Sequence, residues 1–377
     1  MKKVILVFLT LVICLAGNIN VLAKTKERDD TFLYNYYYLW EDFSFELSDN
    51  ETVVIKGYNG EGGKVEVPSY FDDIKVTAIG SGAFQNCTSL YEIILPSSIE
   101  SIGANAFKNC ENLKSLKIDR NAVISEIGKE AFYGCKKLSE IEFPYKLYKI
   151  GSGAFEECIF LRTLTLPSGI ERIGTCAFAG CKNLKIVNFP DGIKEIGGGV
   201  LNRTEYYDDR DNWCYDCLYV GQYLISSGDY IYFDVRGNVQ VQDDTTLIAE
   251  QSFDRLFSPQ SYENNNIINS IEIPESVESI GVHYSIDKRT VILTKKGTAA
   301  HEFAVKNNLI FVEKKDYKGS VEKTEKGYEY VKYTNEDPNK TMAIVLAVIA
   351  VLFSLIIFFA KYAKKRTNSD NDSGIEQ

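Results

Sequence analysis

Residues 161–184 read LRTLTLPSGIERIGTCAFAGCKNL, and the pattern recurs along the chain. Ala-Phe pairs stand at 83–84, 106–107, 131–132, 154–155 and 177–178. Ile-Gly precedes each pair, and a cysteine follows each, at 87, 110, 135, 158 and 181. A leucine comes three residues after each cysteine, and the step is 23 residues with one of 25. A sixth copy is degenerate, with Val200-Leu201 where Ala-Phe should stand. A fixed short period marks stacked units, none of which can bury its own apolar face.

The spacing assigns each part of the unit a place. In the quoted copy Leu161, Leu164 and Leu166 point inward, while Thr163 and Thr165 point out of a short strand. Proline ends the strand at 96, 144, 167, 190 and 274, since it cannot donate to a ladder. An extended piece with inward aliphatics such as Ile170 and Ile173 follows. The next glycine is expected to permit a tight corner. Ala-Phe and the cysteine then form the opposite wall. The expected fold is a repeat solenoid: a β-rich coil with one parallel β-sheet and short helical turns. Its outward strand residues are Glu92, Ile94, Ser115, Lys117, Glu140, Glu142, Thr163, Thr165, Ile186, Asn188, Ser270 and Glu272. They form the candidate binding face.

The unit L-x-x-I-x-L-P-x-x-I-x-x-I-G-x-x-A-F-x-x-C-x-x-L closely resembles the BspA-type bacterial leucine-rich repeat. The resemblance covers about residues 43–312. Phe43 to Pro68 resembles the family's usual leading segment, and Thr298 to Val312 its terminal helix and strand. The resemblance implies a surface or secreted protein associated with adhesion and protein binding. Fold analogy alone does not fix function.

Departures from the pattern divide the chain. One unit has Asp119 in place of proline and two extra residues, read as a bulge. Residues 203–246 interrupt the array and contain Tyr206, Tyr207 and Trp213. Insertions in solenoids are often contact sites, but this one is equally readable as a hairpin packed on the coil. The aromatic run Tyr34 to Trp40 is read as capping the open first coil in preference to serving as an interface. The expected organisation is then a 24–68 cap, regular repeats over 69–202, the 203–246 insertion, and degenerate repeats with a terminal cap over 247–312. A charged stalk follows over 313–341.

Both ends carry targeting signals. Lys2 and Lys3 precede an apolar run ending Val21-Leu22-Ala23, the order of a cleaved signal peptide over 1–23. An uncleaved anchor is the alternative. Met342 to Ala360 has no charge and at ~1.5 Å per residue spans roughly 28 Å, enough for a transmembrane helix. Lys361, Lys364, Lys365 and Arg366 then favour the cytoplasmic side, leaving 361–377 as an inner tail. The expected topology is a single-pass cell-membrane protein with its N-terminus outside.

Composition and motifs exclude several chemistries. A net charge of −10 argues against nucleic-acid partners. The five repeat cysteines fall in one row at ~4.8 Å coil spacing. A disulfide needs Cβ atoms ~3.5–4.5 Å apart, so these read as buried thiols. Cys214 and Cys217 lie in the insertion and read as a disulfide or two thiols. A zinc site would need a second Cys/His pair, and none is evident. The two histidines, His283 and His301, lie in no nucleophile or metal motif. No cofactor, metal or catalytic site is expected. The expected function is recognition of an unknown protein or glycan ligand. The alternatives are a receptor signalling through a membrane partner and a structural envelope spacer.

Overall fold

The computed structural model describes residues 42–71, 73–119, 121–214, 217–227, 238–253, 270–283 and 289–316, and also the backbone of Leu22–Ala23, Tyr36–Trp40, Gly319–Thr324 and Gly327–Lys332. The described residues up to Lys315 belong to one compact unit, and those from Asp316 to a second. In the second, Gly319–Thr324 and Gly327–Lys332 pair as an antiparallel hairpin within the expected stalk.

The first unit is a solenoid of stacked parallel strands. Each regular coil has two β walls. The first is the strand before proline: Leu90–Leu95 pairs in parallel with Ser115–Ile118, which pairs with Glu140–Ile141. Thr163–Thr165 pairs with Ile186–Asn188. The second wall is a ladder of two-residue strands, Ser101–Ile102, Glu126–Ile127, Lys149–Ile150, Arg172–Ile173 and Glu195–Ile196. The single expected sheet is thus corrected to two walls. The extended piece before each Ile-Gly builds a ladder of its own, because its isoleucine turns inward at every step.

The third wall carries the Ala-Phe and cysteine rows. Phe84, Phe107, Phe132, Phe155 and Phe178 stack with centroids 4.9, 5.0, 5.1 and 5.5 Å apart, all fully buried. Cys110, Cys135, Cys158 and Cys181 are buried, and each thiol donates to the phenylalanine carbonyl of the preceding coil, at 3.0–3.3 Å. A thiol is a small hydrophobe with one weak donor, which this arrangement uses. Cys87 departs from the expected burial and is half-exposed, since the coil before it supplies no matching phenylalanine.

The glycine of Ile-Gly is required for a reason other than a tight corner. A Cβ on Gly151 would lie 2.6 Å from Lys129 N, and one on Gly174 2.3 Å from Ser152 N. Successive backbones approach too closely there for any side chain. The left-handed positions come two residues later, at Gly82, Asn105, Glu130, Gly153, Cys176 and Gly199 (φ 54° to 69°).

The ends are capped. Tyr36–Trp40, Phe43–Leu47 and Val53–Tyr58 form an antiparallel sheet that continues into the two-residue ladder. The aromatic run therefore lies in a capping strand. At the other end the helix Ala299–Lys306 starts at Thr298, whose hydroxyl accepts from His301 N–H. Ile310–Val312 then closes the last sheet against Val291–Leu293.

Candidate functional site

The strand wall is where the coils present outward side chains. In register, Glu92 stands beside Ser115 and Ser115 beside Glu140, Ile94 beside Lys117, Thr163 beside Ile186, and Thr165 beside Asn188. Glu142 is exposed just past the end of its strand. Glu272 belongs to a separate sheet (Asn238–Gln240, Ser270–Glu272, Val291–Leu293, Ile310–Val312) and pairs with Lys314. Ser270 was expected to face outward and is fully buried, as is Val291 beside it. In this later sheet the covering extends over Ser270 and Val291, while Gln240 stays exposed.

The wall is broken once inside the regular array. The sheet that runs Gly63–Glu66, Leu90–Leu95, Ser115–Ile118, Glu140–Ile141 stops there, and Thr163–Thr165 pairs only with Ile186–Asn188. The same two coils stay joined elsewhere. Phe160 N–H donates to Lys136 C=O (3.0 Å), Phe132 N–H to Ala154 C=O (2.7 Å) and Glu171 N–H to Tyr148 C=O (2.9 Å). The opening is local to the strand wall.

A cleft of about 490 Å³ occupies the break, lined by Ser139, Ile141, Phe160, Arg162, Thr163 and Thr165. Its size lies within the range of ~300–1,000 Å³ typical of ligand sites. It reaches the core row: Ile93, Leu116, Leu164 and Val187 are buried, whereas Ile141 in the same row is half-exposed. Phe160 is 48% exposed at the rim. Arg162 is exposed, and its guanidinium has no ion pair or hydrogen-bond partner among the described residues. The neighbouring cations are engaged, Lys185 with Glu205 (3.1 Å) and Lys137 with Asn112 (2.6 Å).

The break coincides with an aromatic contact just beyond the short strand. Leu95, Ile118 and Leu166 occupy the inward position before the proline or its replacement in three coils; Phe143 holds it here, and Phe189 holds it in the coil whose strand Ile186–Asn188 stays paired. The Phe143 ring meets Phe155 edge-on at 5.6 Å and 87°. Among the described residues Phe189 has no such contact with the ring column and lies against Tyr223, with centroids 6.5 Å apart.

Backbone geometry defines the cleft's polar edge. Ile186 N–H donates to Arg162 C=O (3.2 Å) and Leu166 N–H to Asn188 C=O (3.2 Å). Successive residues of an extended strand turn their N–H and C=O to opposite edges. The backbone groups of Thr163 and Thr165 therefore face the cleft, where no strand pairs with them. The Thr165 hydroxyl accepts from Asn188 at 3.5 Å.

Sequence reading named Thr163 and Thr165 but missed Ser139, Ile141, Phe160 and Arg162. The signal for one was present. Phe160 stands in a row otherwise held by Ser89, Asn112, Lys137 and Asn183.

The other outer wall is chemically different. Lys75 pairs with Glu100 (3.0 Å), Glu126 with Lys149 (3.2 Å) and Glu171 with Lys194 (2.8 Å). Tyr148 donates to Glu126 and lies under the Arg172 guanidinium at 5.5 Å. The Tyr148 hydroxyl holds the Glu126 carboxyl below its usual range, helped by Lys149. This wall neutralises itself.

The insertion packs on the coil. Tyr206 and Tyr207 lie in the short helix Glu205–Asp208, and with Trp213 they are half-buried against the main core. Tyr206 OH donates to Tyr219 C=O (2.8 Å) and Trp213 Nε1–H to Tyr207 C=O (2.7 Å). Cys214 and Cys217 stand opposite each other across an antiparallel pair. The strand Tyr223–Ser227 re-enters the stack in parallel with Leu247–Ile248, and Glu250 N–H donates to Ile196 C=O (2.9 Å). The solenoid thus resumes behind the insertion. Among the described residues no metal-holding cluster is present. His283 is buried between Phe253 and Phe303.

Among the described residues no helix is long and apolar enough to cross a membrane. The expected span Met342 to Ala360 lies outside the described residues. So does the leader, apart from the Leu22–Ala23 backbone, which pairs with Ala23 opposite Tyr36.

Comparison with curated proteins gives no match. Among solved structures the chain is similar to a leucine-rich cell-surface protein from Faecalibacterium prausnitzii, at 22% identity and TM-score 0.43, covering 73% of this chain and 82% of that one. It is similar to the Treponema (T. pallidum) leucine-rich repeat protein at 29% identity and TM-score 0.34, covering 40% and 81%. For the pneumococcal vaccine antigen PcpA the values are 23% identity and TM-score 0.43, covering 64% and 65%. The family model for the BspA-type leucine-rich repeat region matches residues 118–207 in six copies, the stretch that contains the break and its cleft. Over those residues the chain is similar to BspA-type leucine-rich repeats.

Proposed function

We propose that this chain is a cell-surface recognition protein. The repeat coil stands outside the cell, held by a single span at Met342 to Ala360, and binds a protein or glycan partner through its strand wall. It performs no catalysis. BspA-type repeat proteins are typically cell-surface proteins, which supports the location.

One observation carries the reading. Both outer walls carry cross-coil ion pairs, Glu126–Lys149 and Glu171–Lys194 on the ladder and Glu92–Lys117 on the strand wall, but the strand wall between Ser139 and Asn188 also leaves the side chains of Phe160, Arg162 and Ile186 exposed. Exposed aromatic, aliphatic and arginine groups grouped on one face are the composition of a contact surface.

The test is retention of the full-length chain on protein and glycan arrays. An Ile186→Glu change, on a residue 53% exposed, is expected to reduce capture at least tenfold. Lys194→Ala on the opposite wall leaves it unchanged. No retention, or equal loss from both variants, refutes the proposal.

A further inference from the structure

We infer that the cleft between the Glu140–Ile141 and Thr163–Thr165 strands binds an extended peptide segment with an apolar residue beside an acidic one. The inference rests on the recognition reading and specifies its partner. The unpaired edge is the first ground. Thr163 and Thr165 each turn an N–H and a C=O into the cleft, about 7 Å apart along the strand. A polypeptide in extended form presents complementary groups at that same two-residue repeat, so it satisfies the edge by strand addition. A saccharide has no such repeat of alternating donors and acceptors.

The side chains give the sequence preference. Ile141 and Phe160 form an apolar floor and rim, which takes an aliphatic residue. Arg162 offers a guanidinium fork with no partner among the described residues, matched to a carboxylate. Glu142, exposed past the end of its strand, makes the far end acidic. One carboxylate placed at the Arg162 end therefore fits better than a polyacid. Serine and threonine hydroxyls from Ser139 and Thr163 complete the lining.

The opening also limits the ligand. The two coils are joined on either side of the break, at Phe160 with Lys136 and at Glu171 with Tyr148. Only a short segment lies in the cleft. The peptide pairs with one strand edge and does not extend the sheet beyond it.

The experiment uses the full-length chain in detergent and a panel of blocked pentapeptides with apolar–aspartate–apolar centres. Backbone amide signals of Thr163 and Thr165 are followed on titration. Saturable shifts at these two residues are expected. Binding is expected to weaken at least tenfold when the central amides of the peptide are N-methylated, when aspartate is replaced by lysine, and in the Arg162→Glu variant. N-methylation alters only the probe, so folding of the protein does not enter. Absence of saturable shifts across the panel overturns the inference. So does binding that ignores both N-methylation and Arg162→Glu, or an acidic oligosaccharide that shifts Thr163 and Thr165 when no peptide does. If array capture still depends on Ile186 while the peptides fail, the cleft inference falls and the recognition reading stands.

Discussion

The Phe143 ring lies edge-on to the Phe155 ring, 5.6 Å between centroids and 87° between planes. Phe155 is locked in a column of parallel rings, so it cannot turn to meet its neighbour. The strand before Phe143 ends at Ile141, and the strand wall is open beside it.

Phe143→Leu installs the aliphatic that Leu95, Ile118 and Leu166 supply in three other coils and tests whether the Phe143–Phe155 contact holds the wall open. The Glu140–Ile141 and Thr163–Thr165 strands are expected to pair. Ile141 becomes buried and capture of a peptide partner falls. Binding unchanged in this variant contradicts that role for the contact.

Phe155→Ala removes a fully buried ring from the middle of the column. The expected loss is ~3–5 kcal/mol of stability, read from denaturant midpoints. An unchanged midpoint contradicts the ring register.

Much of this was legible in the sequence. The 23-residue register placed the proline-ended strands, the phenylalanine column and the cysteine row, because each depends on a residue type repeated at fixed spacing. The two-residue ladder was not legible as a sheet, since two residues are too few to show alternation. Burial of Ser270 was hidden because a covered strand and a half-covered one both tolerate serine. The break was hidden because phenylalanine stands before the proline at both 143 and 189, so residue type alone does not mark it. Phe160, apolar in a polar row, was the one visible sign of the cleft.

Gly151→Ala tests the close approach of coils. The new Cβ would sit 2.6 Å from Lys129 N, which belongs to backbone and cannot rotate away. A loss of ~1–3 kcal/mol is expected. Cys176→Gly, at φ 56°, is expected to be neutral or to gain up to about 1 kcal/mol, because glycine takes that conformation without a Cβ penalty. A stable Gly151→Ala protein contradicts the packing assigned to this row.

The cysteine row predicts an alkaline loss of stability. Burial pushes the Cys110 thiol from 9.0 up to about 12, and raises Cys135 and Cys158 well above their ordinary range. The unfolded chain ionises these thiols first. Their contribution is complete below pH 9 and is lost as pH rises from 9 toward 12. Denaturant midpoints between pH 8 and 11 check the fall. Thiol labelling at pH 8 is expected to spare Cys110, Cys135, Cys158 and Cys181 until unfolding, and fast labelling of all four in the native protein contradicts the row.

The most direct measurement is amide hydrogen exchange, residue by residue, along the Thr163–Thr165 strand. Leu164 N–H points to the Ile186–Asn188 strand and is expected to be protected like its neighbours in the stack. Thr163 and Thr165 N–H face the cleft and are expected to exchange much faster, slowing when a peptide binds. Equal protection of all three amides in the free protein would mean a continuous ladder, and the cleft on which the account rests would not exist.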